Sequence, residues 1–165
     1  MRKIDRDGLL LCELQAESFA RSLTDARTSS EIFIRRFMHS NFVKEMDNAS
    51  ILLTNLQPRD ILERIDEEYG VSDYGSVKYS TEEMYWIGYI YRYYAYTYDK
   101  SSVQVYRTVK PKELRGLYLP YHTMDPAQAI DRILEAKGLA CDEQTELRRQ
   151  FEIYKRIRHP GGTAS

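Results

Sequence analysis

Ser80-Thr81-Glu82-Glu83-Met84-Tyr85-Trp86-Ile87-Gly88-Tyr89-Ile90-Tyr91-Arg92-Tyr93-Tyr94-Ala95-Tyr96-Thr97-Tyr98 is the stretch that decides how this chain folds. Its first four residues form a Ser-x-x-Glu capping box, in which the serine oxygen and the glutamate carboxylate each take a backbone N–H left orphaned at a helix start. From Met84 onward the stretch is apolar or aromatic nearly all round, and a helix of that kind belongs in the centre of a domain. Two stripes run along it: Tyr85, Tyr89, Tyr93 and Tyr96 on one face, and Met84, Ile87, Tyr91, Tyr94 and Tyr98 on another. The spacing predicts a central Tyr-rich helix over about 81–98.

Working outward, the flanking segments also read as helices. Towards the N-terminus, Leu9, Cys12, Ala16, Phe19 and Leu23 draw one stripe over 9–23. Ser29-Ser30-Glu31 offers a cap for a second helix, in which Ile34, Met38, Phe42 and Met46 recur every four residues beside Phe33 and Phe37. Pro58 fits a first helical position, Ile61, Leu62, Ile65 and Tyr69 make a face, and Gly70 fits the position past the end. Residues 71–79 read as a loop, expected to be mobile and to divide this N-terminal part from the rest. Towards the C-terminus, Ser101 or Ser102 caps a helix to about Val109, and Pro111 opens another to about Tyr118 that Pro120 stops. Asp125-Pro126 starts a helix with Ala127, Ile130, Ile133 and Leu134 on its face and Gly138 at its end. Asp142 opens a last one, with Leu147, Phe151, Tyr154 and Ile157 on its face and Lys155, Arg156 and Arg158 where cations suit the dipole. Apart from Ser76–Ser80, no window alternates with period two. The expected fold is all-α: one helical bundle over 1–159 around the Tyr-rich helix, with a disordered tail at 160–165.

The chain has 165 residues, 42% of them hydrophobic and 30% charged, enough for a folded domain with its own core. Cys12 and Cys141 form no Cys-x-x-Cys pair, which points away from a zinc site or a disulfide framework and towards a reducing compartment. Cys12 lies inside an apolar stripe and reads as core rather than as a nucleophile. The charged start Met1-Arg2-Lys3-Ile4-Asp5-Arg6-Asp7 is no secretion signal, and no stretch approaches the ~20 apolar residues of a membrane span, so a cytoplasmic protein without a membrane contact is expected. The net charge of -1 hides a segregation: residues 59–83 are acidic, whereas residues 85–124 are basic and carry ten of the fourteen tyrosines.

The chemistry admits three readings. Rings whose hydroxyls need partners are an unusual material for a core helix, and tyrosine beside arginine is a composition enriched at protein interfaces. Tyr85, Tyr89, Arg92, Tyr93 and Tyr96 are therefore the candidate partner-binding residues, the alternative being that both stripes are core. The stretch 95–109 can be laid on a helix-turn-helix, with Ala95 at the close-packing position, Asp99 at the turn and Val105 buried. Gln104, Arg107 and Thr108 then face DNA, with Lys110, Lys112 and Arg115 near phosphates, although Lys100 stands where an apolar residue is expected. Arg115 and, seven positions on, His122 resemble the Arg-x4-6-His motif of HEPN-type ribonucleases, in which the pair handles a scissile phosphate. Here Gly116 and Pro120 are expected to interrupt the helix that should carry it. His39, His122 and His159 have no metal-ligand spacing, and Glu67-Glu68 and Glu82-Glu83 read as surface and helix-start charges. No catalytic residue, metal or cofactor is expected.

At Ser80–Tyr93, then Lys110-Pro111-Lys112-Glu113-Leu114-Arg115, Pro120-Tyr121-His122 and Asp125-Pro126-Ala127-Gln128-Ala129-Ile130, the chain resembles a family of small proteins from gut Gram-positive bacteria, over most of residues 28–136. That family is associated with short operons beside small ADP-ribosyltransferase-like toxins, which implies an antitoxin or accessory role and assigns no residue a function. The leading expectation is a non-enzymatic protein-binding module whose partner is another protein, such as the neighbouring gene product. A homodimer and a DNA-binding regulator remain open beside it.

Overall fold

The computed structural model describes residues 1–139, 151 and 153–157. Along the described residues run α1 (Arg6–Asp25), α2 (Ser30–His39), α3 (Asn41–Asp47), a 3-10 turn (Ser50–Leu53), α4 (Pro58–Tyr69), α5 (Thr81–Thr97), α6 (Ser102–Thr108), α7 (Pro111–Tyr121) and α8 (Pro126–Ala136). Among them there is no strand, Ser76–Ser80 included, so the chain is all-α. It divides into two compact units, Met1–Ile130 and a second that begins at Asp131, within α8. Asp125 starts α8 by accepting from the Ala127 N–H at 2.8 Å. Gly138 ends it at φ 70°, with the Leu139 N–H donating to the Leu134 carbonyl at 2.8 Å. Of the expected last helix, residues 153–157 are helical. Phe151, Tyr154 and Ile157, expected on its buried face, are instead 58, 56 and 72% exposed. Cys141, Asp142, Leu147, Arg158, His159 and the tail 160–165 lie outside the described residues.

In the first unit α5 lies antiparallel to α1, with Gly8 against Tyr96 at one end and Ala16 against Gly88 further along. A Cβ placed on Gly88 would stand 3.0 Å from Ala16 Cα, 3.0 Å from the Gln15 carbonyl oxygen and 2.9 Å from the Phe19 ring. Two of these neighbours are backbone and cannot swing aside, so the missing side chain is what allows the close crossing. Leu11, Cys12, Ala16 and Phe19 of α1 and Met84, Ile87, Ile90 and Tyr91 of α5 are all buried. The inner face of α1 departs from the expected stripe: Leu9 is 39% exposed, while Leu11 and Gln15 are fully buried. A glutamine holds a core position there because partners await it, the Gly88 carbonyl accepting from its Nε2 at 3.0 Å.

Local chemistry sets the helix ends. Ser80 and Glu83 form the expected box, with bonds of 3.1 and 2.9 Å. At the other end of α5, Arg2 donates from its backbone N–H to Thr97 O at 2.7 Å and from Nε to Tyr96 O at 2.9 Å, placing a cation where the helix dipole is negative. The helix expected through 34–46 is two helices, because Ser40 sits at φ -69°, ψ 155°. Its hydroxyl donates to Phe37 O and accepts from the Val43 N–H, ending α2 and capping α3 in one residue, while Ile34, Met38, Phe42 and Met46 all stay buried. α7, expected to stop at Pro120, runs through it to Tyr121. The proline falls in the last turn, where its missing N–H releases only the exposed Gly116 carbonyl, which water can satisfy. The segment 71–79 carries no helix, and its Tyr74 and Val77 carbonyls accept from the Ser29 and Ser30 N–H groups at 3.1 and 3.0 Å. It straps the start of α2 instead of dividing the chain, and α1 to α7 belong to one unit.

Candidate functional site

The two stripes of α5 have different fates. Met84, Ile87, Tyr91 and Tyr94 are buried, and the Tyr91 hydroxyl is spent inside, donating to Val109 O at 2.6 Å. Along the other stripe exposure grades from end to end. Tyr96 donates to Asp5 Oδ1 at 2.6 Å beneath the Arg2 guanidinium, Tyr93 is 7% exposed, Tyr89 is half-buried, and Tyr85 is 38% exposed. The rings of Tyr85, Tyr89 and Tyr93 stack in a ladder with centroids 6.4 and 6.3 Å apart. Of the five residues expected to meet a partner, Tyr85 and Tyr89 stand at an open surface.

Arg92 does not. Its side chain is only 2% exposed and lies at the centre of a polar knot. Nε donates to Gln15 Oε1 at 2.9 Å, Nη1 to Asp47 Oδ1 at 2.7 Å and Nη2 to Ser102 Oγ at 2.8 Å. Asp47 in turn accepts from the Ser102 hydroxyl at 2.6 Å and from its backbone N–H at 3.0 Å. One side chain thus ties α5 to α1, α3 and the start of α6. An internal tie of this kind is invisible in a sequence, because Gln15, Asp47 and Ser102 come from three distant segments.

The open end of the stripe forms one wall of a groove with α7. Thr81, Glu82, Tyr85, Trp86 and Tyr89 line it from α5, and Tyr118, His122, Met124 and Pro126 from the other side, around a cavity of about 530 Å³. The walls are locked by ring contacts: Trp86 meets Tyr118 edge to face at 5.9 Å, and Tyr118 stacks on His122 at 4.4 Å. His122 Nδ1 is held by the Tyr118 and Leu119 carbonyls, which fixes the ring and leaves Nε2 facing away from the helix backbone. Burial raises the Tyr85 phenol above its ordinary range, with Glu13 and Glu17 of α1 adding to it, and burial pushes Tyr89 up to about 12. Both therefore stay neutral hydroxyls at ordinary pH. Glu13, Glu17 and Glu82 are exposed and make the surroundings of the groove acidic. No hydrogen bond or ion pair joins His122 to Glu82. The groove offers apolar and aromatic area with a few polar groups for orientation, which is the make-up of a binding site. Trp86, Tyr118 and Met124 were missed from sequence because α7 had to be placed first.

The residues assigned to nucleic acid are divided by the structure. Ala95 and Val105 are buried and Asp99 takes φ 52°, as the helix-turn-helix alignment requires, but α6 spans only Ser102–Thr108. Gln104 closes the capping box of that helix, Thr108 donates to the Gln104 carbonyl at 3.0 Å, and Arg115 pairs with Glu83 at 3.2 Å while covering the Tyr79 ring. Arg107, Lys110 and Lys112 remain exposed, with Lys110 lying 4.4 Å above Tyr106. Arg115 lies on α7 and His122 caps its end, but they line different cavities, Arg115 beside Ser29 and Tyr79, and His122 in the aromatic groove. They are not gathered at one site, although the helix is unbroken between them.

Cys12 is fully buried, and burial pushes its thiol up to about 12, as a core cysteine requires. Among the described residues no group of three or more His, Cys, Asp and Glu could hold a metal ion, and no helix is long and apolar enough to cross a membrane. The chain matches no family model, and no curated protein or solved structure is similar to it.

Proposed function

We propose that the chain is a non-enzymatic protein-binding module that takes an apolar, cation-flanked segment of a partner protein into the α5–α7 groove, in the antitoxin-like or accessory role its resemblance implies. The observation that carries this reading is the groove itself: a cavity of about 530 Å³ walled by Tyr85, Trp86, Tyr89 and Tyr118. Aromatic side chains bring large area at small entropic cost and dominate the energetics of interfaces. The Tyr85 and Tyr89 hydroxyls have no hydrogen bond among the described residues, so they are available to a partner. The surrounding Glu13, Glu17 and Glu82 favour cationic flanks through complementary charge.

Trp86 is the single tryptophan of the chain and stands in the groove, so its fluorescence reports occupancy directly. Titration with the purified product of the adjacent gene is expected to shift that emission with saturation. Tyr85→Ala and Tyr89→Ala, each checked for native circular dichroism, are expected to weaken binding about tenfold or more. Affinity unchanged in both folded variants, or binding that leaves the Trp86 emission untouched, rules the groove out.

A further inference from the structure

A second cavity lies elsewhere on the first unit and shares no lining residue with the groove. It has a volume of about 310 Å³ and is lined by Arg35, Arg36, His39 and Tyr69. Arg35 and His39 are exposed and one helical turn apart on α2, so their side chains are neighbours on the helix surface. Neither has an ion pair among the described residues. The carboxylates that act on the neighbouring rings are committed: Glu68 accepts from the Asn41 and Phe42 N–H groups at 2.7 and 3.0 Å, and Glu31 accepts from the Tyr79 hydroxyl at 2.7 Å. Arg36 also lines a neighbouring cavity with Asp66, whose carboxylate feels its charge, so the Arg35 guanidinium and the His39 imidazole are the groups that converge here with no anion assigned to them.

Helix carbonyl ends would oppose an anion here, since α2 and α4 both terminate at the cavity. Two carbonyls there have cationic or imidazole partners: Arg36 Nη1 donates to Gly70 O at 3.1 Å, and His39 Nδ1 meets Arg35 O at 2.7 Å. The same bond fixes the imidazole and leaves Nε2 to accept from a singly protonated phosphate or, in the imidazolium, to donate to a phosphate oxygen. Tyr69 is 41% exposed, with Arg36 5.5 Å from its ring centroid, so it presents a flat apolar surface beside the cations. On the other side the Tyr106 ring packs against His39 at 4.8 Å and is only 9% exposed, which makes it a wall of the His39 position and not a second stacking platform. The volume is at the lower end of ligand pockets, which suits one small molecule.

We infer that this cavity binds a small phosphate monoester carrying a planar ring, of the size of a nucleoside monophosphate, with the phosphate at Arg35, Arg36 and His39 and the ring against Tyr69. Arginine's planar fork suits phosphate oxygens, and bonds to an ionised group are the strong ones. The site needs no residue of the α5–α7 groove, so the two proposals stand or fall separately.

Calorimetry with AMP, adenosine, inorganic phosphate and a thymidine decamer tests it on the full chain. AMP is expected to bind with saturation, inorganic phosphate more weakly and adenosine not at all. Arg35→Gln and His39→Gln, both at exposed positions and checked for an unchanged melting temperature, are each expected to lower AMP affinity about tenfold or more, the scale of one charged hydrogen bond. Tyr69→Ala is expected to weaken AMP while leaving inorganic phosphate unaffected. No saturable AMP binding into the millimolar range, or affinity unchanged in the Arg35→Gln/His39→Gln double variant, overturns the inference. A decamer that binds tighter than AMP, with a steep salt dependence lost in Arg107→Ala/Lys110→Ala, overturns it in favour of a nucleic-acid surface.

Discussion

Helix α5 is one run of tyrosines with an arginine in it, yet its two sides do opposite things. On the side of Tyr91 and Arg92 both polar side chains have partners inside the molecule: Val109 for one, and Gln15, Asp47 and Ser102 for the other. On the side of Tyr85 and Tyr89 the rings pack on one another and the hydroxyls are left to solvent or a partner. Among the described residues no buried side-chain polar atom lacks a hydrogen bond. Composition therefore does not mark a tyrosine or arginine as a contact residue. What separates the two sides is whether another segment brings the complementary atom, so the inner side is a structural tie and the outer side keeps unspent capacity for binding.

The comparison breaks most visibly at Arg92. Arg92→Leu removes a buried cation and leaves Asp47, Gln15 and Ser102 facing an apolar side chain, and the loss of one member of a buried ion pair is expected to cost about 3–5 kcal/mol. Urea unfolding of the purified variant measures it. If the penalty comes from the orphaned carboxylate, the double variant Arg92→Leu/Asp47→Leu recovers part of the loss. A single variant as stable as the parent would mean that the knot contributes nothing to folding and that Arg92 is free for another role.

Gly88 comes next. Gly88→Ala adds one methyl where Ala16 Cα and the Gln15 carbonyl already stand 3.0 Å away, so the two helices must separate. The helix propensity of alanine favours the change by about 1 kcal/mol. Overpacking opposes it by about 1–3 kcal/mol, and a net loss of stability is expected in the same urea assay. A gain would show that the α1–α5 seam has slack.

How much of this could be read beforehand depends on the range of the forces involved. The capping box at Ser80 and Glu83, the helix from Pro58 to Tyr69 and the Asp99 turn were legible, because each rests on atoms within a few residues of one another. The break at Ser40 was not. A four-residue apolar repeat continues across it, and the break shows in the folded backbone at Ser40, whose ψ is 155° and whose hydroxyl bonds to Phe37 O. The run of α7 through Pro120 is hidden for a related reason: proline breaks helix interiors, and only the folded helix shows that Pro120 falls in its last turn. At the groove, Tyr85 and Tyr89 were legible as an aromatic stripe, whereas Tyr93 and Arg92 were grouped with them by spacing and are buried by tertiary neighbours. The basic cavity is not legible in the sequence because its lining comes from α2 and α4, which only the fold brings together, and Tyr69 reads as part of the α4 face.

The smallest effect concerns Cys12, which is buried on α1 near both Arg92 and the Tyr85–Tyr93 ladder of α5 but carries no charge at neutral pH. Burial favours the neutral thiol in the folded chain and raises it from the ordinary 9.0 to about 12. The unfolded chain releases the proton first, so the contribution of this thiol to stability is whole below pH 9 and fades as pH rises from 9 towards 12. In a Cys141→Ser background, where Cys12 is the remaining thiol, labelling with a disulfide reagent at pH 9 is expected to proceed only as fast as the chain opens. Adding urea below the unfolding transition should then accelerate labelling in step with the fall in stability. Rapid labelling that ignores urea would place the thiol at the surface and show that the rings of Tyr85 and Tyr89 do not seal α1 against α5.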